Sequence, residues 1–371
     1  MADLFFYGTL CHVPLLERVL GRSGISLQPA TLPDHAAFWA EGEGFPLLEP
    51  APGQQATGLL ARELSAEDEA RLRFYEGGFA FGDKQVTVQT AQGPACANVF
   101  FPEPGRWATG APWNLSDWQA RWAAINMRAA EEIMAWYGRF TLDQIARNFT
   151  PIGIHATAWV SARSRPADPD RDVTRDVEVV DHRRAYLSFF GMEEIELRFR
   201  RHDGSMSAVL NRGMINVGEA VVVLPYDPVL DRVLLVEQFR APVFMAGDRA
   251  PWVWEPVAGL VDPGETPETS AHREAEEEAG LNLRRLEPAG GVYSSTGSSN
   301  EFLNLFIGIA DLSGQPNGGG GLDHEGEDIR SAILSYDALM DGVDRHLYRD
   351  MPLVTCALWL ARHRERLRKQ G

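Results

Sequence analysis

The sequence predicts an α/β protein of the α+β kind, with two domains joined by a helical connector. Three observations lead there. At 371 residues the chain exceeds what one compact core usually organises. Its first part, to about residue 110, reads as short strands divided by turns. Its last part, from Val177 on, alternates apolar strands with helix. The expected domains are residues 1–112, a connector and linker over 113–176, and 177–371.

Taken in order, LFFYGTL is an apolar strand running into a glycine turn, and Ala56–Leu64 and Lys84–Thr90 are alternating or β-branched segments. FPEPGRWATGAPW then breaks the pattern with prolines and glycines. Ser116 can cap a helix in which Trp118, Trp122, Ile125, Ala129 and Ile133 recur every three or four residues, the pattern of a packed face. Ser161–Asp172 is polar and non-periodic and reads as the linker. In the last domain, ELRFRRHDGSMSAVLNR reads as strand, His-Asp-Gly-Ser turn and strand. EAVVVLPYDPVLDRVLLVEQF reads as two apolar strands about Asp227-Pro228, and further strands lie near Gly291–Tyr293 and Phe302–Ile309. The run Asn317–Gly321 (NGGGG) favours a mobile loop.

Composition limits the partners. A formal charge of −17 argues against nucleic acid, whose phosphates attract basic surfaces, but leaves room for small phosphorylated ligands whose charge a cation can neutralise. Cys11, Cys96 and Cys356 are too few and too far apart for a disulfide framework and suit a reducing compartment. No signal-like segment opens the chain and no run reaches membrane-spanning length, so a cytoplasmic protein without membrane contact is expected.

The stretch Gly259–Leu281 carries the chemistry. Glu274, Glu277 and Glu278 stand at i, i+3 and i+4, so one helix face would present all three carboxylates. A solvated face is the bland alternative. Yet like charges at this spacing repel, and no lysine is interleaved, so a hard divalent cation such as Mg²⁺ explains the cluster better. Gly259 and Gly264 punctuate the preceding loop, Gly280 sits where the helix should end, and Arg273 can pair with Glu265. Glu276 is expected to be solvated.

These residues match the Nudix box position by position: Gly259, Glu265, Arg273-Glu274, Ala275, Glu277-Glu278, Gly280 and Leu281 at the family's spacing, with alanine at the first aliphatic site. The resemblance implies an α/β/α sandwich and a pyrophosphohydrolase of nucleoside diphosphates, with Mg²⁺ (or Mn²⁺) on Glu274, Glu277 and Glu278 and on the backbone carbonyl of Ala258. Val233–Val243, Trp254–Glu265, Ser294–Glu301 and His324–Arg330 further resemble the ADP-ribose pyrophosphatase branch. By that resemblance Glu325 is the catalytic base, Glu327 a second acidic residue near the metal, and Arg240 and Glu301 contact substrate. In that branch a second subunit lends residues to the site; Arg212 and Phe189 or Phe190 are candidates, and a homodimer is implied. One position departs: Thr296 stands where the branch carries proline, which leaves ADP-ribose and other nucleoside diphosphate sugars both open.

At the other end, Tyr7-Gly8-Thr9-Leu10 after a strand, Phe45-Pro46, and Leu72–Gly77 (LRFYEG) resemble the γ-glutamylcyclotransferase-like (AIG2-like) fold, a β-barrel type. There the turn supplies backbone amides to the substrate, and a glutamate placed like Glu76 moves protons. A γ-glutamyl cyclotransferase with an accessory Nudix domain is thus the alternative activity. The fusion resembles proteins associated with tellurite resistance.

Overall fold

The computed structural model describes residues 2–77, 81–314, 319–321 and 328–370. The chain divides into two compact units, Met1–Arg212 and Gly213–Gly371.

The first unit opens with β1 (Ala2–Phe6), a 3-10 turn at Thr9–Cys11 and α1 (Val13–Leu20). Then follow β2 (Leu27–Ala40), β3 (Pro46–Leu64), α2 (Ala66–Gly77), β4 (Phe81–Thr90), β5 (Gly93–Pro102) and β6 (Thr109–Pro112). The strands run β3-β1-β5-β4-β2, and β2 pairs back onto β3, so the sheet closes into a barrel and exposes no long edge. The period of two shows in β1: Phe5 points into the barrel with Leu60, Val88 and Val99, while Leu4 and Phe6 pack outward against helices.

The outer layer comes from α1, α2 and the connector: α3 (Leu115–Arg121), α4 (Ala123–Ala135), α5 (Leu142–Arg147) and α6 (Phe149–Ser164). Trp118, Trp122 and Ile133 are buried, and Ile125 and Ala129 pack against them, so the aromatic stripe is core as expected. Its cap is not Ser116 but Asn114, whose side chain accepts from the amides of Ser116 and Asp117 at 2.8 and 3.2 Å. Both are good capping types; starting two residues earlier leaves Ser116 inside the first turn. Beyond α6, residues 165–172 have no helix or strand, and Asp172 caps the short α7 (Val173–Asp176). The hairpin of β7 (Val177–Leu187) and β8 (Gly191–Phe199) follows, and β9 (Leu210–Asn216) carries the chain across the division.

The second unit is built on β10 (Glu219–Asp227), β11 (Arg232–Phe239), α8 (Ala241–Met245), β12 (Trp252–Glu255), β13 (Val257–Leu260), α9 (Pro267–Ala279), β14 (Arg285–Tyr293), β15 (Phe302–Ile309), β16 (Gly319–Gly320), β17 (Ile329–Ser335), α10 (Tyr336–Asp344) and α11 (Met351–Gln370). The sheet runs β14-β15-β10-β11-β17-β16, with β10–β15 parallel and β12 and β13 attached to β11 and β10. Every residue of β10 is buried, because helices cover both faces. Val221 and Val223 meet α9, while Val222, Leu224 and Tyr226 meet α10 and α11. The layers are α/β/α.

The glycine run differs from the mobile loop expected of it. Asn317 and Gly318 lie outside the described residues, but Gly319 and Gly320 form β16 against Arg330 and Ile329 of β17. A Cβ on Gly320 would fall 2.0 Å from the carbonyl oxygen of Glu278, and the Gly321 amide donates to Glu277 O at 3.2 Å. At Gly320 glycine serves close backbone approach.

Candidate active sites

The carboxylate helix is α9. Thr266 caps it, accepting from the Thr269 amide, with Pro267 in the first turn. Gly280 ends it at φ 59°, where Leu281 N donates back to Ala275 O at 2.9 Å. Ala271, Ala275 and Ala279, one turn apart, lie on the sheet, and their small size lets α9 sit close to β13. That approach positions the acidic face. Glu278 is only 2% exposed, and its carboxylate accepts from the Ala258 amide at 3.1 Å. Glu274 lies over Gly259, where any Cβ would come within 1.9 Å of its carboxylate oxygen. Glu276 is exposed.

Arg273 pairs with Glu265 at 3.1 Å, as the spacing suggested, and also bonds Glu274 at 2.7 Å and Glu277 at 3.0 Å. Burial works against its charge, but Glu265 and the neighbouring carboxylates outweigh this and hold it well above its usual range. Ser270 donates to Glu265 at 2.6 Å, completing the brace between loop and helix. Among the described residues, no three His, Cys, Asp or Glu side chains are gathered tightly enough to hold a metal by themselves. The donor chemistry nevertheless fits a hard cation: three carboxylates share one face, one of them desolvated, and Arg273 partly offsets their repulsion. Glu325 and Glu327 lie outside the described residues.

Arg240 and Glu301 fall in the same electrostatic neighbourhood as this helix. Arg240 is held in a forked pair by Glu255 of β12, with contacts at 2.6 and 3.0 Å, and it feels the charges of Glu278 and Asp350. Burial, aided by the charges of Glu255 and Glu301, pushes Asp350 up to about 7, although its carboxylate caps α11 through the Leu353 amide. Sequence reading missed Glu255 and Asp350. The former was visible only as part of the segment Trp254–Glu265, and the latter only as a helix cap. Thr296 occupies an exposed turn closed by Ser295 and Ser298. Arg212 belongs to the first unit, where it donates to the neighbouring Asn211 carbonyl. Phe189 and Phe190 sit edge-to-face in the β7–β8 turn, 65% and 39% exposed.

A second site opens in the first unit as a pocket of about 510 Å³ of empty space, mouth included. Gly8, Thr9 and Leu10 line one side, Glu76 another, and aromatic rings much of the rest. Gly8 is required by packing: a Cβ there would sit 2.6 Å from Pro46 Cγ. The 3-10 turn that begins at Thr9 leaves its first amides without helical acceptors. Tyr7 turns its hydroxyl away, donating to the Phe100 carbonyl at 3.1 Å. Glu76 has no hydrogen-bond partner among the described residues, and burial pushes it up to about 8. A carboxyl titrating near neutrality in an apolar pocket suits proton transfer. Phe45, noted with Pro46 in the sequence, also lines the pocket, as does Asn126, which did not stand out there.

Comparison with known proteins finds a family over each of two segments. The NUDIX domain family matches residues 217–351, and the family described as gamma-glutamyl cyclotransferase, AIG2-like, matches residues 4–120. An ADP-ribose pyrophosphatase of Escherichia coli (strain K12) is 34% identical over 195 residues, covering 53% of this chain and 92% of that protein. One from Haemophilus influenzae is 39% identical over 162 residues, covering 43% and 74%. A GDP-mannose pyrophosphatase of Cronobacter sakazakii is 28% identical over 179 residues, covering 48% and 92%.

Proposed function

The chain belongs to the Nudix hydrolases, and from that premise we propose that its second unit cleaves the pyrophosphate bond of ADP-ribose to AMP and ribose 5-phosphate, with Mg²⁺ or Mn²⁺. The observation that carries this reading is the acidic face of α9, with Glu278 sunk against the Ala258 amide. Glu274, Glu277, Glu278, Glu327 and the Ala258 carbonyl would hold the cation. When bound, it neutralises the diphosphate and lowers the pKa of water. The chain's own groups do the rest. Glu325 takes a proton from the attacking water, whose oxygen bonds to phosphorus as the bridging P–O bond breaks. Arg240, kept rigid by Glu255, binds substrate anion or base, and Glu301 a substrate donor. Arg273 keeps Glu274 and Glu277 in place.

Substrate choice is tested by comparing kcat/KM for ADP-ribose and GDP-mannose. ADP-ribose is expected to lead by at least about tenfold, because unpaired polar groups penalise the wrong nucleoside. A preference for GDP-mannose would move the substrate to the other class. Gly259→Ala probes the helix separately. Its methyl would push aside the flexible Glu274 side chain, so hydrolysis should fall by roughly 10–100-fold. The melting temperature should stay within about 5 °C, since no backbone atom is displaced. Unchanged activity in this variant would remove Glu274 from the site.

The exposed apolar side chains of the β7–β8 hairpin, including Val179, Tyr186, Phe189 and Met192, support a homodimer in which the first unit's hairpin is covered. No described helix is long and apolar enough to cross a membrane; a cytoplasmic location and a link to tellurite resistance belong to the same proposal.

A second reading rests on Glu76 in its aromatic pocket: the first unit acts as a γ-glutamyl cyclotransferase. The substrate's α-amine nitrogen would bond to its γ-carbonyl carbon, and the bond to the leaving amine would break. Glu76 would carry the proton from the attacking to the leaving nitrogen, giving 5-oxoproline and a free amine. The amides of the Gly8–Leu10 turn would hold the substrate's carboxylate.

A further inference from the structure

The first-unit pocket is not built from the barrel alone. Asn126 lines it from α4, beyond the 4–120 segment that the cyclotransferase family matches. The connector also shapes the wall at a distance from that residue. Trp118 Nε1 donates to the Gly44 carbonyl at 2.9 Å, and Trp122 lies so close to Gly44 that a Cβ there would fall 2.9 Å from its ring. Gly44 is followed by Phe45 and Pro46, which line the pocket, and Pro46 in turn rests on Gly8. The connector therefore reaches the substrate turn through three consecutive residues.

Asn126 itself has a defined orientation. Its side chain bonds the Trp122 carbonyl at 3.1 Å, and a carbonyl only accepts, so the amide nitrogen must face it. The side-chain oxygen Oδ1 is left without a donor among the described residues. Among the described residues no lysine, arginine or histidine lines the pocket, and Glu76 is the only carboxyl that does. A ligand with an N–H group would satisfy Oδ1, and the faces of Phe45, Phe81 and Tyr75 would favour an ammonium.

We propose that the connector helix is part of the first-unit site and that Asn126 Oδ1 is a specificity-determining acceptor for the ammonium of a γ-glutamyl amine. This rests on the cyclotransferase reading and names a contact that the reading does not need. The test uses the full-length chain and two probes, γ-glutamylalanine, which carries the ammonium, and 5-oxoproline, which lacks it. Calorimetric affinities are compared for wild type, Asn126→Leu and Asn126→Asp. Asn126→Leu should weaken γ-glutamylalanine by about tenfold, the cost of one lost charge-assisted bond, and weaken 5-oxoproline less, because its lactam N–H is a neutral donor. Asn126→Asp keeps the acceptor and adds charge, so it should raise the preference for γ-glutamylalanine over 5-oxoproline. If Asn126→Leu fails to fold, the preference in Asn126→Asp decides alone. Wild-type protein binding neither probe would overturn the cyclotransferase reading and the proposal with it. Wild-type binding with an unaltered preference in Asn126→Asp would overturn the role of Asn126 alone.

Discussion

Glu278→Gln is expected to lower the turnover of ADP-ribose by roughly 10²–10³-fold, the scale of removing one electrostatic group from a reaction centre. This substitution separates charge from shape. Glutamine matches glutamate in size, and its side-chain oxygen can keep the 3.1 Å bond from the Ala258 amide, so the packing of α9 on β13 survives. What disappears is one negative charge from a helix face that carries three carboxylates. Without a divalent cation burial works against that charge, because Glu278 is only 2% exposed. The variant should therefore melt at the same temperature as wild type or higher while losing activity, as expected when a site trades stability for function. Thermal melts and initial rates on the same preparations check both halves. Full activity in the variant would remove Glu278 from the metal site.

The second large effect is expected at Glu76. Glu76→Gln should lower the conversion of a γ-glutamyl peptide to 5-oxoproline by roughly 10²–10⁴-fold, the usual contribution of a positioned acid–base group. The same substitution has a signature in stability. Burial raises this carboxyl from its ordinary 4.5 to about 8 in the folded chain. A carboxyl raised by folding favours the folded state fully below its unfolded pKa. That advantage is lost as pH rises from 4.5 toward 8, because the unfolded chain ionises first. Glutamine does not ionise, so Glu76→Gln should gain stability relative to wild type between pH 6 and pH 9. Parallel melts at the two pH values measure it, and an identical pH dependence in both proteins would contradict a buried Glu76.

Both sites were partly legible in the chain, and the division has a physical basis. Local patterns survived folding. The terminating glycine of α9, the apolar strand that runs into the Gly8 turn, and the brace between Arg273 and Glu265 depend on residues close in sequence. Partners brought together by the sheet did not show. Glu255 reaches Arg240 because β12 pairs with β11, and Asp350 joins them from the start of α11. Asn126 enters the first pocket only because the connector folds back on the barrel. The end of the glycine run is a related case. Glycine content alone does not distinguish a loop from a strand pressed against the backbone of Glu278. Asn114 and Ser116 are both adequate capping types, and it is Asn114 that accepts from the first-turn amides.

Cleavage of ADP-ribose by the second unit is expected to depend on a divalent cation. The most direct measurement is AMP release from ADP-ribose in metal-free buffer, then with Mg²⁺, then with excess chelator. The expected result is AMP and ribose 5-phosphate in equal amounts only while the cation is present, with activity restored when Mg²⁺ is returned. Release that persists undiminished in chelator, or no release with either Mg²⁺ or Mn²⁺, would contradict it.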